Sequence, residues 1–395
     1  MAMRLSRKAR WAVPAAAVVI TGGTIAGSVI TVAQAAPSLP PKTPAQLLAD
    51  VASTQTIPPL TGTVVETASL GLPALPQVGN STSLTSLITG SHTIKVYWEN
   101  GKHFRLAIPQ QMSETDLIRD GGTVWLWEST SNSVTKFSLA GMAQDKTAHD
   151  KARKVQAQLP PLTPQQAANE ALAAVGPTTV VSVDSAVDVA GEPAYQLVLA
   201  PKDSRSTIGS IRIAIDAKTN VPLRVQVFAK GASSPALQVS YTQISYVAPS
   251  PANFAFAPPP GATVHDAASS QDGQGAGQKA GQPSLDGTSG SYGSGWLTVA
   301  EVPESLLSQA QTSPSGSPAG SSAESPGTVF AGDGQLAINK FLGAGTPVSG
   351  SWGTGQLIHT SLVNILVVGN EMYMGAVEPS VLYAAVGHAT PAGNS

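Results

Sequence analysis

Apolar and polar residues alternate with a period of two through eleven short runs of the chain: 62–70, 93–99, 103–109, 115–119, 123–128 and 134–139, then 180–189, 194–199, 209–216, 222–228 and 237–246. Successive side chains of an extended chain point to opposite faces, so each run predicts a strand with one apolar and one polar face. In 209–216, Ile211, Ile213 and Ile215 point one way while Arg212 and Asp216 point the other. Asn100-Gly101 predicts a two-residue hairpin of type I′ geometry, and Asp120-Gly121-Gly122 marks the next tight turn. Two stretches keep a helical spacing instead. In 44–55 a proline stands at the start and Leu47, Leu48 and Val51 share one side. In 163–175 Thr163 caps, Pro164 takes the first helical position and Gly176-Pro177 stops the helix. About eleven strands with a few short helices form one large antiparallel sheet, curved rather than flat.

Composition then divides the chain. From 265 to 295 Ser, Gly and Gln predominate with almost nothing apolar to bury, which predicts a flexible linker. The expected organisation is a main domain at 44–264, the linker at 265–295 and a small C-terminal α+β domain at 296–390. The last is built from the apolar runs 296–302, 335–341, 357–368 and 372–376, and is interrupted by a disordered stretch at 312–328.

The N-terminus carries an address. Arg4, Arg7, Lys8 and Arg10 precede an uncharged apolar run that ends in Ala33-Gln34-Ala35. A basic patch, an apolar core and small residues in that order read as an export signal over 1–35, cleaved before Ala36. Retention as an uncleaved anchor is the alternative, since the run approaches the roughly 20 residues that span a bilayer. Interspersed Gly22, Gly23 and Gly27 favour cleavage. Either outcome places the rest of the chain outside the cytoplasm, secreted or at the outer face of the cytoplasmic membrane. Without those four basic residues, 18 Lys and Arg face 24 Asp and Glu, a formal charge of −6 that argues against a nucleic-acid partner. The absence of cysteine removes disulfides, thiolate nucleophiles and zinc–thiolate sites.

Catalytic constellations are missing from the sequence. The six histidines, His92, His103, His149, His265, His359 and His388, form no H-E-x-x-H or H-x-H pair, and no G-x-S-x-G elbow or phosphate-binding loop occurs. The carboxylate pairs Asp184/Asp188 and Glu114/Asp116 read as solvated surface. The expectation is a protein that is not an enzyme and uses neither metal nor cofactor.

The succession YWENGKHFRLAIPQQMSETDLIRDGGTVWLWESTSNSVTKFSL, from Tyr97 to Leu139, resembles the LolA/LolB/RseB-like superfamily of lipoprotein carriers and envelope-stress sensors. It runs through a W-x-x-x-x-x-F-R hairpin, a strand ending in D-G, an aromatic strand and a return strand. The resemblance implies an antiparallel half-barrel of about eleven strands, α+β but mostly β, whose apolar concave face is covered by short helices and takes acyl chains. Where LolA-type carriers place a lid-holding arginine, this chain has Glu99-Asn100, so that latch does not carry over. Two C-terminal stretches, DGQLAINKF at 333–341 and VVGNEMYMGAVEPSVLYAAVG at 367–387, are similar to elements of the smaller RseB domain. The residues read as lining an apolar pocket are Trp98, Phe104, Leu106, Ile108, Trp125 and Trp127, because large side chains on a curved sheet leave space that two short helices cannot fill. The implied partners are a lipid or the acyl chain of a lipoprotein, and a membrane-anchored regulatory or transport protein. The implied function is a carrier or receptor of an acylated ligand. A regulatory protein that senses such a ligand and modulates a membrane-anchored partner, such as an anti-sigma factor, is the alternative.

Overall fold

The computed structural model describes residues 37–54, 56–71, 90–138, 163–173, 175–266, 290–303 and 345–389. Ala33, Ala35 and Ala36 of the expected cleavage site, the run 335–341 and the stretch 312–328 lie outside them. The described elements are α1 (Pro44–Ser53), β1 (Leu60–Ala68), β2 (Gly90–Asn100), β3 (His103–Pro109), β4 (Glu114–Asp120), β5 (Thr123–Glu128) and β6 (Ser133–Ser138). They continue with α2 (Pro164–Ala173), β7 (Thr179–Val189), β8 (Glu192–Pro201), β9 (Ile208–Asp216), β10 (Pro222–Ala229), β11 (Leu237–Ser245) and β12 (Thr263–Asp266). The C-terminal part holds β13 (Gly290–Tyr292), β14 (Val299–Pro303), β15 (Thr346–Gly350), β16 (Gly353–His359), β17 (Asn364–Val368), β18 (Glu371–Gly375) and α3 (Pro379–Ala389).

Twelve strands form one sheet in the order β12-β6-β5-β4-β3-β2-β1-β11-β10-β9-β8-β7. The sheet is open, β12 and β7 standing at its two edges, as in an open half-barrel. All its pairings are antiparallel except that of β12 with β6. The β2–β3 hairpin forms where Asn100-Gly101 placed it, with a different turn. Asn100 pairs with His103, so Gly101 and Lys102 are the loop residues, and Asn100 Oδ1 accepts the Lys102 N–H at 2.8 Å. An Asx-type side-chain bond replaces the two positive φ angles of a type I′ turn; neither Asn100 nor Gly101 has one.

Both helices that cover the sheet start alike, Thr43-Pro44-Ala45-Gln46 and Thr163-Pro164-Gln165-Gln166. In each, the threonine hydroxyl accepts the N–H of the glutamine, and the glutamine amide oxygen accepts the N–H of the threonine. This capping box, followed by proline at the first helical position, fixes where each helix begins. Helix α1 lies near β7, while α2 packs on β10 and β11. Beneath them Leu60, Val64, Ile94, Val96, Leu106, Leu197, Leu199, Ile213, Leu223 and Val239 form a continuous buried core.

Gly62 shows how tightly the middle of this face is packed. A Cβ there would fall 2.6 Å from the ring of Tyr241 and 2.8 Å from the carbonyl oxygen of Gln243. The ring lies across β1 because glycine leaves room for it. Gly62→Ala is expected to destabilise the protein by about 1–3 kcal/mol through overpacking, read as a fall in the urea midpoint at constant slope.

The second sheet runs β13-β14-β18-β17-β16-β15, with α3 packed on β14, β17 and β18 around Val299, Leu357, Leu366, Tyr373, Leu382 and Val386. It docks on the first sheet by backbone pairing. Ser206 and Val377 form an antiparallel bridge, the Thr207 N–H donates to the Ala376 carbonyl at 3.0 Å, and the Glu378 N–H donates to the Arg205 carbonyl at 2.7 Å. Trp296 adds an apolar anchor: it precedes β14 in the chain but is buried in the core of the first sheet, its indole N–H donating to Thr179 Oγ1 at 2.8 Å.

Candidate functional site

Strands β9, β10 and β11 turn Ile208, Ile211, Val225, Val227, Leu237 and Val239 toward α2, and α2 answers with Ala167 and Ala171. Alanine lets the helix approach the sheet, yet it has no volume to fill the gap above short β-branched side chains. The result is a cavity of about 320 Å³. Its remaining wall comes from the docked second part of the chain: Gly295, Trp296, Thr298 and Ala376. Among the described lining residues Glu170 is the one carboxylate, exposed at the rim, its pKa raised by partial burial. One strand beyond the cavity floor, Glu66 faces Val239 in register on the same side of the sheet. It is only 2% exposed, and its Oε2 has no hydrogen-bond partner among the described residues. Burial pushes its pKa up, and the nearby His92 opposes that shift.

The six aromatic and aliphatic residues singled out by sequence fall on two faces. Trp98 faces Phe104 in register, and Leu106 and Ile108 follow on the same side, which is the helix-covered one. The Trp98 and Phe104 rings stack with centroids 5.7 Å apart, and all four side chains pack into the main core. They lie on β2 and β3, separated by β1 from the β9–β11 floor of the cavity, and line no part of it. Trp125 and Trp127 face Ile118 and Asp116, on the opposite side of the sheet. There the chain that follows β11 crosses over them, with the Phe256 ring 5.6 Å from Trp125 and 6.4 Å from Trp127. Asp116, read from the sequence as solvated surface, is 1% exposed beneath this crossing and pairs with Arg105, which also reaches Glu114 at 3.6 Å. Burial pushes the Asp116 carboxyl up to about 6, with Glu114 adding to the shift and Arg105 opposing it.

Apart from Ile211 and Trp296, the cavity residues drew no notice in the sequence, because most of them are small or medium-sized apolar side chains. Their signal was the alternation of Ile211, Ile213 and Ile215 together with the small residues of α2; space appears only when those two surfaces are stacked. Among the described residues no group of three or more His, Cys, Asp or Glu side chains is placed to hold a metal ion, and no helix is long and apolar enough to cross a membrane.

No protein-family model matches the sequence, and no curated protein does. Solved structures do. The chain is similar to the MucA/MucB complex of Pseudomonas aeruginosa, at 13% identity and a TM-score of 0.38 over 87% of this chain and 96% of that one. It is also similar to a LolA superfamily protein of Nitrosomonas europaea, at 9% identity and a TM-score of 0.20 over 55% of this chain and 99% of that one. A conserved protein of Thermus thermophilus is similar at 12% identity and a TM-score of 0.31, over 56% and 98% of the two chains. All three are likenesses at low identity and TM-scores below 0.5. They extend to the fold alone.

Proposed function

We propose that this chain is an exported, non-catalytic carrier or receptor of an acylated ligand, a lipid or a lipoprotein, whose acyl chain lies between α2 and the β9–β11 floor. The observation that carries the reading is an apolar cavity of about 320 Å³ whose one described carboxylate stands at the rim. An apolar cavity of about 150 Å³ accommodates benzene, so this one takes roughly a dozen carbons. At about 0.8 kcal/mol per CH₂ the gross gain is near 10 kcal/mol, and association costs about 4–15 kcal/mol. Such a balance holds a chain reversibly, which a carrier or receptor requires and a permanent lipid store does not.

The alternative, a regulatory protein that senses the ligand and modulates a membrane-anchored partner, is favoured by one feature. Ala376 both lines the cavity and accepts the Thr207 N–H in the docking bridge. An occupant therefore touches the segment that holds the two sheets together.

The test is Ala171→Phe, which places a ring in the empty space. Affinity for a fluorescent fatty acid should fall by about tenfold or more, while the thermal midpoint stays near that of the parent because the ring enters a void. Unchanged binding by the folded variant would overturn the assignment of the cavity. Hydrogen exchange at 206–207 and 376–378 separates the two readings: faster exchange on adding ligand points to the receptor, unchanged exchange to the carrier.

A further inference from the structure

The strands that floor the cavity carry a different chemistry on their other side. There Arg212 of β9 and Arg224 of β10 are diagonal neighbours: Arg224 faces Ala214, two residues along β9 from Arg212, and Arg212 faces Gln226, two residues along β10 from Arg224. That spacing puts the side-chain bases roughly 7–8 Å apart. Two guanidiniums offer ten N–H donors in rigid forks, yet among the described residues they make a single hydrogen bond, from Arg224 Nη2 to Gln196 Oε1 at 3.3 Å. Arg212 Nε is shielded from solvent and has no partner among them, and its Nη1 stands 3.8 Å from Asp184 Oδ2, beyond hydrogen-bond reach. The Asp184 carboxylate is already engaged, accepting from the Ser185 N–H at 2.8 Å and from Gln196 Nε2 at 3.3 Å.

The surroundings hold the pair in place. Arg212 stacks on Phe228, its guanidinium carbon 4.7 Å from the ring centroid, which fixes its plane. The neighbouring amides Gln226 and Gln238 are bonded to each other at 2.6 Å and leave the arginines unsatisfied. Burial and the charge of Arg212 together lower the Arg224 pKa, as expected for like charges held close on a half-buried face. Asp216, the next acidic side chain along β9, accepts N–H groups of Lys218 and Thr219 and the hydroxyl of Tyr246, so it too is committed elsewhere.

We propose that Arg212 and Arg224 form an anion site for a phosphate monoester on the face of the sheet opposite the apolar cavity. Two adjacent forks match a group that presents several charged oxygens, and a phosphate monoester does so with nearly two charges at neutral pH. A carboxylate, with two oxygens and one charge, satisfies one fork and leaves the other open. The site is separate from the acyl cavity, because strand residues alternate faces: Ile211 and Val225 line the cavity while Arg212 and Arg224 point away from it.

The phosphate can come from a free phosphorylated solute or from a lipid headgroup, and the experiment separates the two. Inorganic phosphate is titrated calorimetrically into the whole protein at low salt, and co-sedimentation is measured with phosphatidylcholine vesicles with and without phosphatidic acid. Arg212→Gln and Arg224→Gln should each weaken binding by about tenfold or more. Arg212→Lys and Arg224→Lys, which keep the charge but lose the fork, should remain weak while melting like the parent. Ala171→Phe should bind phosphate as the parent does. Arginine-dependent binding of phosphate alone assigns a soluble ligand, and arginine-dependent binding of phosphatidic acid vesicles assigns a headgroup. No binding of either, or binding that survives all four arginine substitutions, overturns the proposal.

Discussion

Trp296→Ala is expected to cost about 3–5 kcal/mol of stability, the range for truncating a large buried aromatic. The indole is 8% exposed and belongs to the core of the large sheet, although in sequence it stands beyond the Ser/Gly/Gln-rich stretch, next to the second sheet. Its loss also removes a wall of the apolar cavity and leaves Thr179 Oγ1 without the indole N–H. Trp296→Phe separates these contributions: it keeps most of the apolar area and loses one hydrogen bond, about 0.5–1.5 kcal/mol. Urea unfolding of both variants checks the ordering. If alanine cost no more than phenylalanine, Trp296 would not be an anchor, and docking would rest on the polar contacts, the backbone bonds at Ser206, Thr207 and Glu378 and the Lys230–Glu378 ion pair among them.

The second large effect concerns pH. The Asp116 carboxyl is raised from 3.8 to about 6, chiefly by burial. A carboxyl raised on folding is neutral more readily in the folded than in the unfolded state. Its stabilising contribution is therefore complete below about pH 3.8 and is lost as pH rises through about 6. The loss is on the order of 3 kcal/mol. Asp116→Asn cannot ionise, so its stability should change less between pH 4 and 7 than that of the parent. Glu66, shifted in the same direction, remains in the variant and leaves a residual slope. Equal slopes for the two proteins in denaturant titrations across this window would remove Asp116 as the source.

Most of the large sheet was legible because a half-buried strand writes its period directly into the chain. Residues 103–109 and 123–128 were read with the ends the structure gives them, and the others shift by a few residues where strands run on into turns. Strand β12 left no such mark: all four of its residues are exposed, so no alternation of burial is written into them, and it pairs parallel with β6. The run 357–368 was read as one segment and is two strands. Thr360 turns the chain without glycine or proline, its N–H and hydroxyl both donating to the Val363 carbonyl.

The pocket was harder. Bulky aromatics draw the eye, whereas a void is made by residues too small to fill it, and smallness carries no signal until helix and sheet are superposed. The split of Trp125 and Trp127 from Trp98 and Phe104 was hidden for another reason. Which face a strand presents depends on the number of residues in the preceding loop, here 110–113 between β3 and β4, and one residue more or fewer would reverse it.

The strand order has a consequence for how the molecule assembles. Strands β1 to β6 follow one another as neighbours, and so do β7 to β11, so each series is a meander that local hairpins can build. The two series join at β1 and β11, where Val64 meets Tyr241 across most of the intervening chain. Closing so long a loop is slow, because its entropy is lost before the contacts that offset it form. Until it closes, β1 and β11 are both bare edges with apolar faces, able to pair with a strand of another molecule. The yield of correctly folded protein is thus set at this seam, by a race between intramolecular joining and encounters that rise with concentration.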